Sequence, residues 1–252
     1  MGLGFAAVSE RETIDHVLNA VADGSGGWIC PVNLDVLRQW RESPEVRDLV
    51  SGADLVLADG MPLIWAGELQ GTPLPERVAG STLVVSLTAA AAEAGASIFF
   101  LGGNPGTAEA AVAKLTELSP GLRMAGTLCP PLGFERDPDY LRRIEQTLHD
   151  AAPDIVYVGL GFPKQEKLIT DLRVRLPRAW FVSCGISFSF VAGEVHRAPL
   201  VVQRLGLEWL HRMVQEPRRL YRRYLLQGMP FLFELLSSAL SQRTNSPVRL
   251  ER

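Results

Sequence analysis

The stretch from Asp154 to Glu166, DIVYVGLGFPKQE, decides the predicted fold. The predicted strand Asp154 to Val158 is apolar after its first residue, a Gly-Leu-Gly turn follows, and a helical pattern begins at Pro163. An apolar run that passes through glycines into a helix is typical of a buried parallel strand and its crossover helix. This stretch therefore predicts one strand and one helix of an α/β protein.

The same alternation extends on both sides of this stretch. The other predicted strands are Gly27 to Val32, Asp54 to Ala58, Ser97 to Leu101, Leu122 to Leu128 and Ala179 to Ser183. The predicted helices are Val36 to Val50, Gly80 to Ala94, Thr107 to Leu118, Pro138 to Ala151 and Pro163 to Leu176. Short apolar strands alternating with helices predict a doubly wound, mostly parallel, Rossmann-like sheet covered on both faces.

The character of the chain changes near residue 193. Residues 196–252 contain ten Arg, no Lys and four Glu, whereas the preceding part carries an excess of acidic side chains. We predict a catalytic body over residues 1–193 and a helical appendage over residues 194–252. The predicted helices of the appendage are Leu205 to Gln215, Pro217 to Gln227 and Met229 to Ser241.

Composition narrows the class of protein. A chain of 252 residues with 47% apolar and 21% charged residues is an ordinary globular protein. The net charge of −3 argues against a nucleic-acid binder. Three dispersed cysteines, no leader-type segment and no apolar run long enough to span a bilayer predict a cytoplasmic location.

Two polar residues follow the first two strands, where ligands bind in open parallel sheets. Asn33 either caps the next helix or contacts a ligand. Asp59, followed by Gly60, either caps a helix or takes a proton from a substrate hydroxyl. Spacing alone does not choose between these functions.

Two glycine-rich turns come later in the chain. Gly102 and Gly103 open a helix whose backbone N–H groups could hold phosphate, or they form only a tight turn. Gly159 and Gly161 begin a Gly-x-Gly pattern, but Lys164 stands where a dinucleotide-binding motif has its third glycine. A nicotinamide-dependent oxidoreductase is therefore a distant third hypothesis. Lys164 and Gln165 either meet a sugar or a phosphate, or they form a solvated helix start.

The sequence offers no convincing metal site. The four histidines show no ligand spacing. The Asp137-Pro138-Asp139 triplet precedes a helix and fits capping better than metal binding. We therefore predict a metal-independent protein that needs no cofactor.

Arginines recur at helical spacing in the appendage. Arg212, Arg219 and Arg223, with Arg222 beside them, precede a run rich in Leu and Phe. Arginine grips phosphate with two parallel hydrogen bonds. Arginine beside exposed Leu and Phe is the composition of a helix on an anionic membrane, although the apolar side could instead pack on the body or on another subunit.

Eight motifs occur in order between about residues 28 and 225. They are VNxD, ADGMP, ERVAG, LGGxPG, VGLGxPKQE, AGxVxRAP, GLEW and EPxRLxxRY. Together they resemble the WecG/TagA/CpsF family of bacterial glycosyltransferases. Two positions depart from the family pattern: Pro31 stands where members commonly have Thr, and Ser189 where they often have Asp.

The resemblance implies an inverting transfer of a sugar from a UDP-sugar to a polyprenyl-diphosphate-linked acceptor on the cytoplasmic membrane face. N-acetylmannosamine, its uronic acid and glucose are donors used within the family. The products enter cell-surface polysaccharides or teichoic acid. Oligomerisation stays open.

The resemblance also implies roles for single residues. Asp59 matches the proposed general base, and Asn33 and Arg77 match residues of the same pocket. Gln165 falls in the PKQE motif beside the nucleotide-sugar cleft. The further expected contacts are Gly102, Gly103, Gly159, Gly161 and Lys164 for the substrate, and Arg212, Arg219 and Arg222 for the UDP leaving group. The alternative hypothesis is a non-catalytic module that binds a nucleotide sugar or a lipid.

Overall fold

The computed structural model describes residues 2–204 and 206–245, without the side chains of residues 200, 204, 219, 244 and 245. All six predicted strands are present within one residue of their predicted bounds. They are β1 Gly27–Val32, β2 Leu55–Ala58, β3 Ser97–Gly102, β4 Arg123–Leu128, β5 Ile155–Gly159 and β6 Trp180–Ser183.

The strands form one sheet in the order β2-β1-β6-β5-β3-β4, and every neighbouring pair is parallel. The residues of β1, β3, β5 and β6 are almost all buried, as their continuous apolar runs predicted, whereas those of the edge strands β2 and β4 are buried only in part or not at all. The predicted α/β class with a doubly wound parallel sheet is confirmed. Pairing between β1 and β6 ends at Ile29 and Val182, because Pro31 lies two residues later and has no N–H to continue it.

Thirteen α-helices lie within the described residues. They are α1 Glu10–Ala22, α2 Leu34–Glu42, α3 Pro44–Ser51, α4 Met61–Gln70, α5 Gly80–Ala94, α6 Thr107–Leu118, α7 Pro138–Ala151, α8 Lys164–Arg175, α9 Ser187–Ala192, α10 Leu200–Arg204, α11 Glu208–Gln215, α12 Pro217–Tyr221 and α13 Met229–Asn245. A 3-10 turn covers Phe134–Arg136, and a π-helical turn covers Arg222–Gly228.

The helix predictions were wrong where single residues break a periodic pattern. The predicted helix from Val36 to Val50 is two helices, because Pro44 lacks an N–H and disfavours a helical conformation at Ser43. Ser43 ends α2, and its hydroxyl caps α3 by accepting the Val46 N–H. In the appendage, the helix predicted from Leu205 begins only at Glu208, and Gly206 lies at φ +71° between α10 and α11.

Four helices, α1, α4, α9 and α10, were missed. The start of α1 carries a signal that could have revealed it, since Ser9 and Glu12 form a reciprocal capping box. Helix α4 is apolar around most of its circumference and lacks the one-sided pattern by which a surface helix is recognised.

Helices cover both faces of the sheet. One core cluster joins one face of the sheet to α2, α3, α7 and α8, with Trp28 and Phe99 among its buried side chains. The other joins the opposite face to α1, α5, α6 and α9, with Phe100 and Tyr157 at its centre. Trp28 also donates from Nε1 to the Ser183 hydroxyl at 3.0 Å, which ties β1 to β6.

The helices after residue 193 return to the body. Phe231, Leu235 and Ala239 of α13 are buried in the first core cluster, which also contains Leu63 and Ile64 of α4. The body-facing side of α13 therefore belongs to the protein core. This packing brings α11 and the π-helical turn against the carboxyl edge of the sheet.

Candidate active site

A cleft opens at the carboxyl edge of the sheet, beside β1 and β6. These neighbouring strands lead into helices on opposite faces, since α2 packs in one core cluster and α9 in the other. A crevice between two such connections is the usual ligand site of a doubly wound sheet. The cleft has a volume of about 460 Å³, within the range of small-molecule sites.

Residues from distant parts of the chain line this cleft. The loops after the strands contribute Asn33, Asp59, Gly161 and Gly185, and the segment before α5 contributes Arg77. The C-terminal helices form the opposite wall with Glu208, Trp209, Arg212, Arg223 and Tyr224. Six site residues predicted from the sequence thus meet at one place: Asn33, Asp59, Arg77, Gly161, Gln165 and Arg212 all line the cleft.

Asp59 directly follows β2, and its backbone N–H donates to the Val32 carbonyl at 2.8 Å. It is not the cap of α4, because Gly60 takes that position without any side-chain hydrogen bond. Burial raises the pKa of Asp59, and Glu208 raises it further, whereas Arg77, Arg197 and the Gly80 N–H oppose the increase. A carboxyl group with a raised pKa in a cleft is suited to accept a proton near neutral pH.

Asn33 caps a helix, which is one of its two predicted roles. It is the N-cap of α2, and its Oδ1 accepts the backbone N–H groups of Asp35 and Val36, each at 3.1 Å. It also lines the cleft. Because Oδ1 accepts both N–H groups of the cap, the NH2 group is the part of this side chain without a role in the cap.

Gln165 connects two loops of the cleft through its side-chain amide. Its Oε1 accepts the backbone N–H groups of Leu160, Gly161 and Gly185 at 3.3, 3.1 and 3.2 Å. Its Nε2 donates to the buried Glu166 at 2.8 Å. The amide of Gln165 therefore cross-links the loops after β5 and β6, a role that spacing along the chain could not reveal.

Three of the predicted glycine contacts serve the sheet instead of the cleft wall. A Cβ atom on Gly102 would lie 2.6 Å from the Gly159 carbonyl, and one on Gly159 would lie 2.7 Å from the Phe188 ring. The Gly103 N–H already donates to the Gly159 carbonyl at 2.8 Å and is not free for a phosphate. Gly102, Gly103 and Gly159 thus allow close packing of β3, β5 and α9, and they do not line the cleft.

Lys164 also lies away from the cleft lining. Its ammonium group pairs with Glu135 at 3.2 Å and lies 5.6 Å from the centre of the Phe134 ring. The structure thus separates Lys164 from its neighbour Gln165.

The arginines of the appendage divide between cleft and solvent. Arg212 lines the cleft with its guanidinium carbon 5.5 Å from the Phe190 ring centre. Its Nε is buried and has no hydrogen-bond acceptor in the described part of the chain. Arg222, predicted to face the leaving group, is exposed, whereas Arg223 lines the cleft and pairs with Asp35 at 3.0 Å. The side chain of Arg219 lies outside the described residues.

Sequence reasoning missed Glu208, the residue after Leu207 in the GLEW motif. Its Oε2 accepts from Arg77 Nη1 at 2.9 Å, and its Oε1 lies 3.4 Å from Arg197 Nε. Glu208 thus brings a further carboxylate into the cleft that holds Asp59. The motif itself was visible, but only the folded chain places it beside Arg77, 131 positions earlier.

The described residues hold no metal-type cluster of side chains and no membrane-spanning helix. None of their acidic, histidine and cysteine side chains gather in threes as a metal site would require. None of their helices combines the length and apolar character needed to cross a membrane.

The doubly wound sheet and the cleft beyond its carboxyl edge define an α/β protein with a small-molecule site. The chain belongs to the Glycosyl transferase WecG/TagA/CpsF family, whose model matches residues 1–245. Among curated relatives it is similar to the N-acetylglucosaminyldiphosphoundecaprenol N-acetyl-beta-D-mannosaminyltransferase of Bacillus spizizenii, with 30% identity over 213 residues. That similarity covers 84% of this chain and 80% of the relative.

Proposed function

We propose that this glycosyltransferase moves N-acetylmannosamine, or a related hexose, from a UDP-sugar to a polyprenyl-diphosphate-linked N-acetylglucosamine acceptor, with inversion at the anomeric carbon. The activity of the relative from Bacillus spizizenii, as its name gives it, supports both the transferred sugar and the acceptor. The observation that carries the proposal is a single cleft in which a carboxyl group of raised pKa, Asp59, faces arginines of the C-terminal helices.

Asp59 would act as the general base. As the acceptor hydroxyl oxygen bonds to the anomeric carbon, Asp59 takes its proton, and the bond from that carbon to the UDP oxygen breaks. Attack from the face opposite the leaving group inverts the configuration. The proposed reaction uses one carboxylate, the general base, because no covalent sugar–enzyme intermediate forms and no second carboxylate is needed as a nucleophile.

The UDP leaving group carries two phosphates, and its developing charge must be neutralised. Arg212 and Arg223 line the cleft wall opposite the strand loops, and the buried Nε of Arg212 still has a hydrogen to donate. Fixed donors in a sheltered site stabilise developing negative charge strongly. We therefore assign this stabilisation to these arginines and propose catalysis without a metal ion.

The acceptor is a lipid, so we also propose that the enzyme binds the inner face of the cell membrane as a peripheral protein. Val214, Leu226 and Phe233 of the C-terminal helices expose 74, 54 and 67% of their surface. Arg218 and Arg222 are exposed on the same helices. Apolar side chains beside arginines suit the interface of an anionic bilayer.

A donor screen tests the reaction. The protein is incubated with UDP-N-acetylmannosamine, UDP-N-acetylglucosamine and UDP-glucose, each with a short-chain polyprenyl-diphosphate N-acetylglucosamine, and released UDP and the lipid product are measured. We expect release only when donor and acceptor are both present. Tight binding of UDP-sugar without release would instead support a non-catalytic module.

The base assignment is tested by Asp59→Asn, which keeps size and hydrogen bonding but cannot accept the proton. We expect turnover to fall about 100- to 10,000-fold. Asp48→Asn, the same substitution at an exposed residue of α3, is the matched control and should be fully active. Near-normal turnover of Asp59→Asn would show that another group is the base.

Membrane binding is tested by co-sedimentation with vesicles of phosphatidylglycerol and with neutral phosphatidylcholine vesicles. Replacing Leu226 and Phe233 with Ser should reduce binding to the anionic vesicles. The control replaces Leu118 and Val174, which are exposed on α6 and α8, with Ser and should leave this binding unchanged. Equal binding of both variants would rule out the C-terminal helices as the contact surface.

A further inference from the structure

Glu208 lies between two arginines, Arg77 of the body and Arg197 of the segment before α10. Its carboxylate accepts from Arg77 at 2.9 Å and lies 3.4 Å from Arg197 Nε. The side chains of Arg77 and Glu208 are only 17 and 20% exposed. Solvent therefore screens this charge pair less than a surface pair.

Further hydrogen bonds hold both arginines in place. Arg77 donates from Nη2 to Gln203 Oε1 at 3.3 Å, and Gln203 donates from its own amide to the Ala198 carbonyl. Arg197 donates from Nη2 to the Thr82 hydroxyl at 2.9 Å. The guanidinium groups of Arg77 and Arg197 are thus held by Gln203 and Thr82 as well as by Glu208.

These groups surround Asp59 from several elements. Arg77 comes from the segment before α5, Arg197 from the segment before α10 and Glu208 from the start of α11. The Gly80 N–H of α5 also bonds the Asp59 carboxylate. Burial is the largest cause of the raised pKa of Asp59, and the positive charges of Arg77 and Arg197 act against it. Glu208 offsets part of that charge and, as a like charge, raises the pKa of Asp59 directly.

We propose that Glu208 is a positioning residue for Asp59: its carboxylate holds the Arg77 guanidinium and neutralises its charge, so that Asp59 does not pair with Arg77. This inference rests on the function proposed above. It assigns the C-terminal helices a role beyond contact with UDP or the membrane, because the packing of α11 completes the surroundings of the base. Without that packing, Arg77 would be left to pair with Asp59.

The test compares Glu208→Gln with Glu234→Gln. The amide that the first variant introduces can still accept from Arg77, so this variant removes mainly the charge. Glu234 of α13 pairs with Arg41 of α2, and Glu234→Gln makes the same change of charge outside the cleft. The pH profile of kcat/KM for UDP release is measured for both variants and for the unaltered enzyme.

We expect Glu208→Gln to shift the acidic limb of the profile to lower pH by about half a unit or more. Glu234→Gln should leave it in place. An unmoved limb in folded Glu208→Gln would overturn the inference, even if its rate falls, because loss of packing alone lowers the rate without changing the pH dependence.

A measurement that does not need turnover separates this inference from the proposed function. The ¹³Cγ resonance of Asp59, assigned by its loss in Asp59→Asn, is titrated in the same variants. Its midpoint should fall in Glu208→Gln. If Glu208→Gln fails to fold, Arg197→Gln replaces it, and the midpoint should then rise, because a positive neighbour is lost. An unchanged midpoint in the folded variant overturns the role of Glu208 whether or not any UDP-sugar is a substrate.

Discussion

Gln165 Oε1 accepts the backbone N–H of Gly185 at 3.2 Å and so joins the start of α8 to the loop after β6. The same oxygen accepts two N–H groups of the loop after β5. Both loops form walls of the cleft. The geometry of the active site therefore depends on one side-chain amide.

Gln165→Ala should lower the free energy of unfolding by about 2–4 kcal/mol, because three backbone donors and Glu166 lose their partner in a sheltered place. Urea denaturation with unchanged m-value would measure this loss. Gln146→Ala, which removes one exposed hydrogen bond to Asp150 on α7, is the control and should change stability by less than about 0.5 kcal/mol. Equal effects of both changes would contradict the role of Gln165.

Burial raises the pKa of Glu166, and hydrogen bonds from Gln165 and Ser183 only partly oppose this. A carboxyl group whose pKa is raised in the folded state stabilises the fold fully below its ordinary value of 4.5 and loses that contribution as pH rises through its native pKa. Glu166→Gln should therefore be progressively more stable than the unaltered protein as pH rises above 4.5.

The difference in unfolding free energy should change by at most about 1.4 kcal/mol per pH unit and then become constant. Denaturation curves at a series of pH values measure it. Glu117→Gln, on the exposed side of α6, should show no such trend relative to the unaltered protein. A constant difference for Glu166→Gln across the series would mean that Glu166 is ionised in the folded state as readily as in the unfolded one.

Arg223→Ala and Arg222→Ala should differ in activity although the residues are adjacent. Arg223 lines the cleft, and removing a charged donor to phosphate should lower kcat/KM about 10- to 100-fold. Arg222 is exposed, so its replacement should change the rate less than about threefold. The two values of kcat/KM are compared by measuring UDP release by both variants at saturating acceptor. A larger loss for Arg222→Ala would reverse the assignment.

Chelation should leave turnover within about twofold of its normal rate, because arginines are proposed to stabilise the leaving group in place of a divalent ion. The check is UDP release after treatment with EDTA, followed by addition of excess Mg²⁺. Loss of activity with EDTA and recovery with Mg²⁺ would refute metal-independent catalysis.

Much of the fold could be predicted from local pattern, because buried strands such as Asp154 to Val158 and their flanking glycines are properties of adjacent residues. Helix α4 was missed because its apolar residues surround it, so no one-sided pattern marks it. The predicted appendage boundary near residue 193 stays a prediction, and the side of α13 that carries Phe231 and Leu235 packs into the main core.

The sequence by itself determined the α/β class, the six strands, the family and the placement of Asn33, Asp59 and Gln165 after strands. It did so because these depend on periodicity, turns and motif order along the chain. Only the tertiary structure decided that Arg223 rather than Arg222 faces the cleft, that the Gln165 amide ties two loops together and that Glu208 meets Arg77. Such contacts join residues up to 131 positions apart, and they form only when burial of the apolar faces brings those segments together.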